Sequence, residues 1–273
     1  MNNKTSNHPH LDAKEILSIE SFFQNHLDGA VWRIGVHEED TKTLEEAGTN
    51  AVTSLTKLLP NFKKSSRILC LGAHAINLGQ HLVKKYECKV EVFCDEATIS
   101  EAAYKKLTEL DTPEKLVLSR GLLTALPYDW NLFDMVLNVE SLGFHENKEK
   151  VLREISYALK PSGRVLFTLL FQQKASGEQH EWAERLNLVT LARYYRLAQN
   201  VDLERVLAKD RTAQLVQHYD FLHTYLQQLS AKDKKELGAK TVNNFSAWLE
   251  AYSDSLKESN LGWGILQFQK RNV

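Results

Sequence analysis

Three polar side chains follow predicted strands, at the positions where an open α/β sheet places the groups that touch its ligands. Asp95 comes directly after the strand predicted at 89–94, and Glu140 and His145 follow the strand predicted at 135–139. A carboxylate there can accept a hydrogen bond from a hydroxyl or an amine, and a histidine can orient a substrate or take a proton. His145 is therefore a candidate base, and Glu140 is either a substrate ligand or a helix-capping or solvated acid.

The turn between the strand predicted at 67–71 and the helix after it could carry a nucleotide-type ligand. Such a ligand needs glycine where the backbone approaches it closely, because any Cβ would occupy its space. Gly72 meets that need, whereas His74 and Ile76 stand at the other two tight positions. His74 could contact a ligand, or it could pack against the neighbouring backbone. We therefore expect less room for a ligand than three glycines would give.

Alternating strand and helix patterns predict one α/β sheet that positions these groups. Short apolar or alternating runs predict strands at 67–71, 89–94, 116–119, 135–139, 165–171, 201–208 and 261–269. Helical periodicity predicts helices at 13–23, 43–59, 78–86, 99–110, 148–159, 181–199 and 212–259. Strands that alternate with helices form parallel sheets covered on both faces. We therefore expect a mostly parallel seven-stranded sheet with helices on both faces and a helical cap, with the last strand at or near a sheet edge.

Composition and charge limit the function classes. The 273 residues are 43% hydrophobic and 25% charged, as in an ordinary globular chain with one main core. Basic and acidic residues number 34 and 35 without blocks of one sign, which argues against nucleic acid or a membrane surface as partner and favours a small molecule. The polar N-terminus lacks an apolar signal core, and no stretch approaches a membrane span. A cytoplasmic protein is therefore expected.

Cysteine and motif content bear on the type of chemistry. Cys70, Cys88 and Cys94 are odd in number and lack CxxC spacing, which fits reduced thiols better than disulfides or zinc. The 10 histidines form no HExxH or other metal-ligand spacing, so no metal is expected. The sequence also lacks GxSxG and Walker motifs, which argues against the common hydrolases and NTPases.

Two phrases of the sequence resemble the class I S-adenosylmethionine (SAM) dependent methyltransferases, especially the small-molecule branch that includes sarcosine and dimethylglycine methyltransferases. They are residues 126–146, which end in Gly-Phe-His-Glu, and residues 150–167, which contain Leu-Lys-Pro-Ser-Gly. The resemblance covers most of the chain and implies a Rossmann-like methyltransferase fold. It is weaker at Trp32-Arg-Ile-Gly-Val-His37, at Tyr194-Tyr195 and at Gly262-Trp-Gly264. The implied division is a helical lid segment at 1–60, a core at 61–211, a helical cap insertion at 212–260 and a sheet strand at 261–273.

The resemblance also implies which residues meet SAM. In the family, an acid at the end of the first strand and a Gly-x-Gly-x-Gly loop hold the amino acid end of SAM, and here Cys70 replaces that acid. Asp95, or its neighbour Glu96, would accept the ribose hydroxyls. Leu122, beside the bulky Leu123, replaces the acid that reads the adenine amine. Losing two charge-assisted hydrogen bonds would weaken SAM binding by roughly two to four decades. The implied cofactor-binding set is Gly72, His74, Asp95, Leu122, Leu123 and Asn138.

Substrate contacts are implied in the same way. Trp32, Arg33 and His37 would lie over the substrate mouth as part of a lid, although a tryptophan between helices is also an ordinary core residue. Tyr195 belongs to the implied substrate-binding set. His145 and Glu140 form the implied catalytic pair.

Three functions fit these residues. The first is SAM-dependent methyl transfer to an oxygen, nitrogen or carbon of a small molecule, which predicts measurable SAM binding. The second is a repurposed fold that has lost SAM and catalyses a cyclisation or isomerisation in an apolar cavity lined by His74, Ile76, Leu122 and Leu123. The third is a non-catalytic partner of another methyltransferase, which predicts a large exposed apolar patch.

Overall fold

The chain divides into two compact units, a helical unit and a sheet unit. A computed structural model describes residues 19, 22, 34–96, 99, 101–173, 187–258 and 260–272. The helical unit comprises Met1–Lys57 and Thr212–Ser259, and the sheet unit comprises Leu58–Arg211 and Asn260–Val273. Of the helix predicted at 13–23, only Ile19 and Phe22 are described, and both are helical and buried.

The sheet unit is built on one seven-stranded sheet. Its strands are β1 (Arg67–Leu71), β2 (Lys89–Asp95), β3 (Leu116–Gly121), β4 (Phe133–Val139), β5 (Leu159–Gln172), β6 (Leu203–Asp210) and β7 (Leu261–Lys270). They lie in the order β3-β2-β1-β4-β5-β7-β6. All neighbouring pairs from β3 to β5 are parallel, and β7 is antiparallel to both β5 and β6. The predicted mostly parallel sheet is confirmed.

In chain order, one described helix of the helical unit precedes β1, and the other three lie between β6 and β7. Two 3-10 turns, Ala73–Ala75 and Leu142–Phe144, follow β1 and β4 directly. Among the described helices, none is both long and apolar enough to cross a membrane. The helices are α1 (Leu44–Thr56), α2 (Ile76–Tyr86), α3 (Glu101–Thr108), α4 (Lys148–Ala158), α5 (Leu191–Gln199), α6 (Thr212–Gln228), α7 (Ala231–Leu237) and α8 (Ala239–Lys257).

Local sequence explains where several helices begin and end. Thr43 and Glu46 form a reciprocal capping box at the start of α1, which satisfies backbone N–H groups that the helix leaves unpaired. The helical stretch predicted at 212–259 is interrupted twice. Ser230 caps α7 with its hydroxyl, and Gly238, with φ of +89°, separates α7 from α8. A residue with a Cβ rarely adopts that backbone conformation, so the glycine permits the break.

The buried strands carry apolar side chains on both faces, as parallel strands covered on both sides require. Residues Ile68 to Leu71 of β1 are fully buried, and so is most of β4. β7 lies one strand in from the sheet edge, which is formed by β6. β5 begins at Leu159 and not near 165, because the chain passes from α4 straight into the sheet and shifts register between Phe133 and Met135 of β4.

Substituting Gly264 tests the packing of β7 between β5 and β6. A Cβ at this position would lie 2.6 Å from the backbone oxygen of Lys209, which cannot move without disturbing β6. We expect Gly264→Ala to lower the free energy of unfolding by about 1 to 3 kcal/mol, as overpacking does. Gly143→Ala is the matched control, since its nearest new contact would be an ordinary 3.8 Å. Urea unfolding curves that moved equally for both variants would contradict the close approach.

Candidate functional site

The turn after β4 sends two polar side chains in opposite directions across the carboxyl edge of the sheet. Glu140 adopts φ of +58°, a left-handed conformation that costs a non-glycine residue on the order of 1 kcal/mol. Asn138 holds the turn that follows, because its amide donates to the Ser141 hydroxyl at 2.7 Å and accepts from the Leu142 N–H at 3.0 Å. Asn138 is fully buried, and the described contacts of this implied cofactor ligand are structural.

One of the two directions leads from His145 to Asp95. His145 Nε2 lies 2.9 Å from Asp95 Oδ2, and the Asp95 side chain is completely buried. The N–H of Leu123 donates to the other carboxylate oxygen at 3.4 Å. Asp95 ends β2, His145 follows β4, and β1 lies between those two strands. The contact therefore passes over the carboxyl end of β1, beside the turn that begins at Gly72.

The side chain of Glu140 extends the opposite way and contacts Trp263. The indole Nε1–H of Trp263 donates to Glu140 Oε1 at 2.7 Å, and both residues are buried. The N–H of Glu140 donates to the backbone oxygen of Thr168 in β5, so the contact crosses β5 to reach β7. Burial, and then the charge of Glu140, raise the pKa of Tyr194 above its ordinary value. Tyr194 therefore stays neutral beside the buried Glu140 carboxylate.

Lys148 fixes the backbone that carries His145. Its ammonium donates to the carbonyl oxygens of His145 and Asn187, each at 2.6 Å, and the residue is only 3% exposed. Burial lowers the pKa of Lys148 from 10.5 to about 8. The contacts join the turn after β4 to the chain that leads into α5.

The turn after β1 keeps one glycine that its geometry requires. Gly72 has φ of +99°, and a Cβ there would lie 3.0 Å from the backbone oxygen of Val139. The turn is a single 3-10 turn that contains His74 and leads directly into α2 at the buried Ile76. The side chain of His74 lies outside the described part of the structure. Burial raises the pKa of the Cys70 thiol, so Cys70 stays uncharged where the family has an acid.

The two leucines implied near adenine differ in their surroundings. Leu122 is 44% exposed, whereas Leu123 is fully buried and reaches Asp95 only through its backbone N–H. The prediction of an apolar cavity lined by both leucines therefore loses support, since their side chains do not share one environment.

Two of the implied substrate residues, Tyr195 and His37, are described, and they belong to different units. The ring of Tyr195 lies under the Arg205 guanidinium, and its centroid is 6.3 Å from that of the Phe268 ring. Phe268 pairs with Val165 in the first half of β5, so Tyr195 lies away from the carboxyl end of that strand. His37 belongs to the helical unit, where its Nε2 lies 3.0 Å from His218 Nδ1. Trp32 and Arg33 lie outside the described residues.

The sequence analysis did not predict the roles of Lys148, which donates to the His145 carbonyl, and of Trp263, which donates to the Glu140 carboxylate. Each nevertheless left a signal in the sequence. Lys148 is the first member of the buried stripe of α4, which continues through Val151, Leu152 and Ile155. A lysine in an apolar stripe indicates a buried amine with specific acceptors. Trp263 stands between two glycines in the buried part of β7, and an indole N–H in such a strand requires a partner. Among the described residues, no group of three or more His, Cys, Asp or Glu side chains is placed to hold a metal ion.

The sequence matches one domain family and resembles curated proteins over nearly its whole length. The methyltransferase domain family matches residues 82–167, which run from α2 into β5. The sarcosine/dimethylglycine N-methyltransferase of Halorhodospira halochloris is 24% identical over 242 residues, which cover 87% of each chain.

Solved structures show the same fold. A protein from Galdieria sulphuraria, provisionally assigned as a sarcosine dimethylglycine methyltransferase, superposes with a TM-score of 0.82 at 18% identity and covers 95% of this chain and 99% of its own. The [4+2]-cyclase SpnF superposes with a TM-score of 0.71 at 16% identity, covering 97% and 98%. The shared fold thus includes proteins with different reactions, and likeness at this level establishes the fold alone.

Replacing Trp263 tests the contact that crosses β5. Trp263→Phe keeps an aromatic ring but removes the N–H from which Glu140 accepts, and losing a hydrogen bond to a charged group costs about 1.5 to 3 kcal/mol. We expect a loss of unfolding free energy in that range. Trp130→Phe is the control, because Trp130 is 71% exposed. Equal stability of the two variants in urea would show that the indole N–H is not needed.

The buried amine of Lys148 predicts a pH-dependent contribution to stability. Between pH 8 and 10.5 the unfolded lysine keeps its proton while the folded one loses it, since the folded pKa is lowered to about 8. The unfolded state then binds more protons, so stability rises with pH across that window. We expect the stability of the wild type relative to Lys148→Met to rise from pH 8 to 10.5, and to stay constant relative to the exposed-site control Lys150→Met. A flat difference for Lys148→Met would contradict the lowered pKa.

Proposed function

Because this chain belongs to the class I SAM-dependent methyltransferases, we propose that it transfers a methyl group from SAM to a small molecule. The observation that carries the proposal is the buried Asp95 carboxylate at the end of β2, beside the glycine turn that follows β1. In open α/β sheets this is the place where an acid accepts the hydroxyls of a nucleotide ribose. SAM, when bound, would supply an activated methyl group for transfer.

The residues of the sheet unit fit SAM in part. Asp95 is the residue proposed to bind the ribose, and Gly72 allows the backbone to approach the amino acid end of the ligand. Neither Gly72 nor Ala75 has a side chain that can cap the helical run from Ala73 into α2. The first N–H groups of that run can therefore serve a carboxylate. Cys70 and Leu122 offer no charged acceptor for the ammonium group or the adenine amine, so we expect weaker binding than a full set of acids would give.

The residues that we propose to take a proton and to bind the substrate both follow β4. His145 is the proposed base, because an imidazole at the carboxyl edge can take the proton that an amine or hydroxyl acceptor loses. Glu140 is the proposed substrate ligand, and its hydrogen bond from Trp263 would orient the carboxylate. The reaction otherwise depends on placing donor and acceptor in line, which needs no further chemical group.

The acceptor class rests on the sequence relative and not on the fold. The relative from Halorhodospira halochloris is by name a sarcosine/dimethylglycine N-methyltransferase, which favours a nitrogen acceptor over oxygen or carbon. SpnF shares only the fold with this chain. Its cyclase reaction therefore does not support the alternative function, in which the chain has lost SAM and catalyses a cyclisation or isomerisation. The lid and cap roles of residues 1–60 and 212–260, with Trp32, Arg33, His37 and Tyr195 near the substrate, stay predictions. A cytoplasmic location is proposed because all three cysteines are free and buried.

Titration calorimetry with SAM and with S-adenosylhomocysteine tests the proposal directly. We expect micromolar binding, and Asp95→Ala should weaken it by about 1 to 3 kcal/mol, the cost of losing a hydrogen bond to a charged group. Glu96→Ala is the matched control, because Glu96 is the exposed neighbour that could have taken the same role. Millimolar or absent binding to the folded wild type would overturn the proposed function. A larger loss for Glu96→Ala than for Asp95→Ala would overturn the ribose assignment alone.

A further inference from the structure

Two proposed roles compete for one pair of atoms. Asp95 is proposed to accept the ribose hydroxyls, and His145 is proposed to take a proton from the acceptor. In the structure, His145 Nε2 lies 2.9 Å from Asp95 Oδ2. The other carboxylate oxygen accepts from the Leu123 N–H. While the imidazole of His145 contacts the carboxylate of Asp95, Asp95 cannot accept the ribose hydroxyls at that oxygen and His145 cannot take a proton at Nε2.

We propose that His145 and the cofactor ribose exchange places at Asp95, so that ribose binding releases the imidazole toward the methyl acceptor. This inference rests on the proposed function. It adds that cofactor binding releases the His145 imidazole from Asp95, so that the imidazole can act as a base. His145 would be a specificity-determining residue for the cofactor, since only a ligand with ribose hydroxyls offers Asp95 a replacement partner. A ligand without those hydroxyls would have to leave the imidazole where it is.

The burial of Asp95 explains why the exchange is one for one. Its side chain is completely buried, and a buried carboxylate that loses a polar partner pays a large desolvation penalty. The contact with His145 is therefore favoured until another donor reaches the same oxygen. Ribose hydroxyls are such donors, and they approach along the carboxyl end of β1, over which the contact passes.

The turn that carries His145 is held from both ends, so the exchange requires a side-chain rotation and not a loop movement. Asn138 binds Ser141 and the Leu142 N–H on one side. Lys148 binds the carbonyl oxygen of His145 on the other side. The His145 side chain itself is 12% exposed, which leaves it an open side toward which it can turn. Lys148 thus acts as a positioning residue for the backbone from which the imidazole swings.

Calorimetry on His145 variants tests the competition. Removing the competing group should tighten binding, so we expect His145→Ala to bind S-adenosylhomocysteine at least about fivefold more tightly than the wild type. His145→Gln should stay near the wild type, because its amide N–H can still reach Asp95. His81→Ala on α2 is the control, and its affinity should not change. Circular dichroism melting of each variant confirms that folded proteins are compared.

A second ligand separates competition from a general opening of the site. With 5′-methylthioadenosine the His145→Ala gain should be retained, and with its 2′,3′-dideoxy counterpart the gain should vanish, because that ligand has no hydroxyl for Asp95. An unchanged or weaker affinity of folded His145→Ala for S-adenosylhomocysteine would overturn the competition, and so would an equal gain with the dideoxy ligand. Failure of the wild type and every variant to bind S-adenosylhomocysteine would instead overturn the proposed function, and the competition with it.

Discussion

A buried carboxylate must always have polar partners, and this constraint organises the carboxyl edge of the sheet. The Asp95 side chain ends β2 without exposure to solvent, and the imidazole of His145, which follows a strand two positions away in the sheet, lies 2.9 Å from it. The turn after β4 must therefore project far enough to cross β1. The turn has 3-10 geometry, its Leu142 N–H donates to Asn138, and Lys148 donates to the His145 carbonyl, and these contacts together fix its path.

The same turn satisfies a second buried acid in the opposite direction. The left-handed backbone at Glu140 turns its side chain across β5, where the Trp263 indole meets it. Strain at one residue is offset by a hydrogen bond to a charged acceptor, which is worth more than a neutral one. The two crossings divide the edge into a side near β1 and β2, where we propose that the cofactor binds, and a second side near β5 and β7. This division fits a reaction in which donor and acceptor meet above β4.

The sequence predicts the sheet well because its strands are short apolar runs separated by amphipathic helices, and burial on both faces allows few other arrangements. It also predicts that Asp95, Glu140 and His145 lie at one edge, since all three follow parallel strands. It does not predict their partners. The approach of His145 to Asp95 depends on the path of one turn across another strand, and no local pattern encodes such a path. Lys148 left a signal in the buried stripe of α4, but that stripe does not encode which carbonyl oxygens, those of His145 and Asn187, accept from its ammonium.

A crystal structure of the protein with S-adenosylhomocysteine tests the exchange at Asp95 most directly, because it shows which donor the buried carboxylate holds. We predict ribose hydroxyls within hydrogen-bonding distance of Asp95, the His145 side chain rotated away from it, and the Asn138 and Lys148 contacts unchanged. A complex in which His145 Nε2 still lies against Asp95 while the ribose binds elsewhere would contradict the exchange of partners.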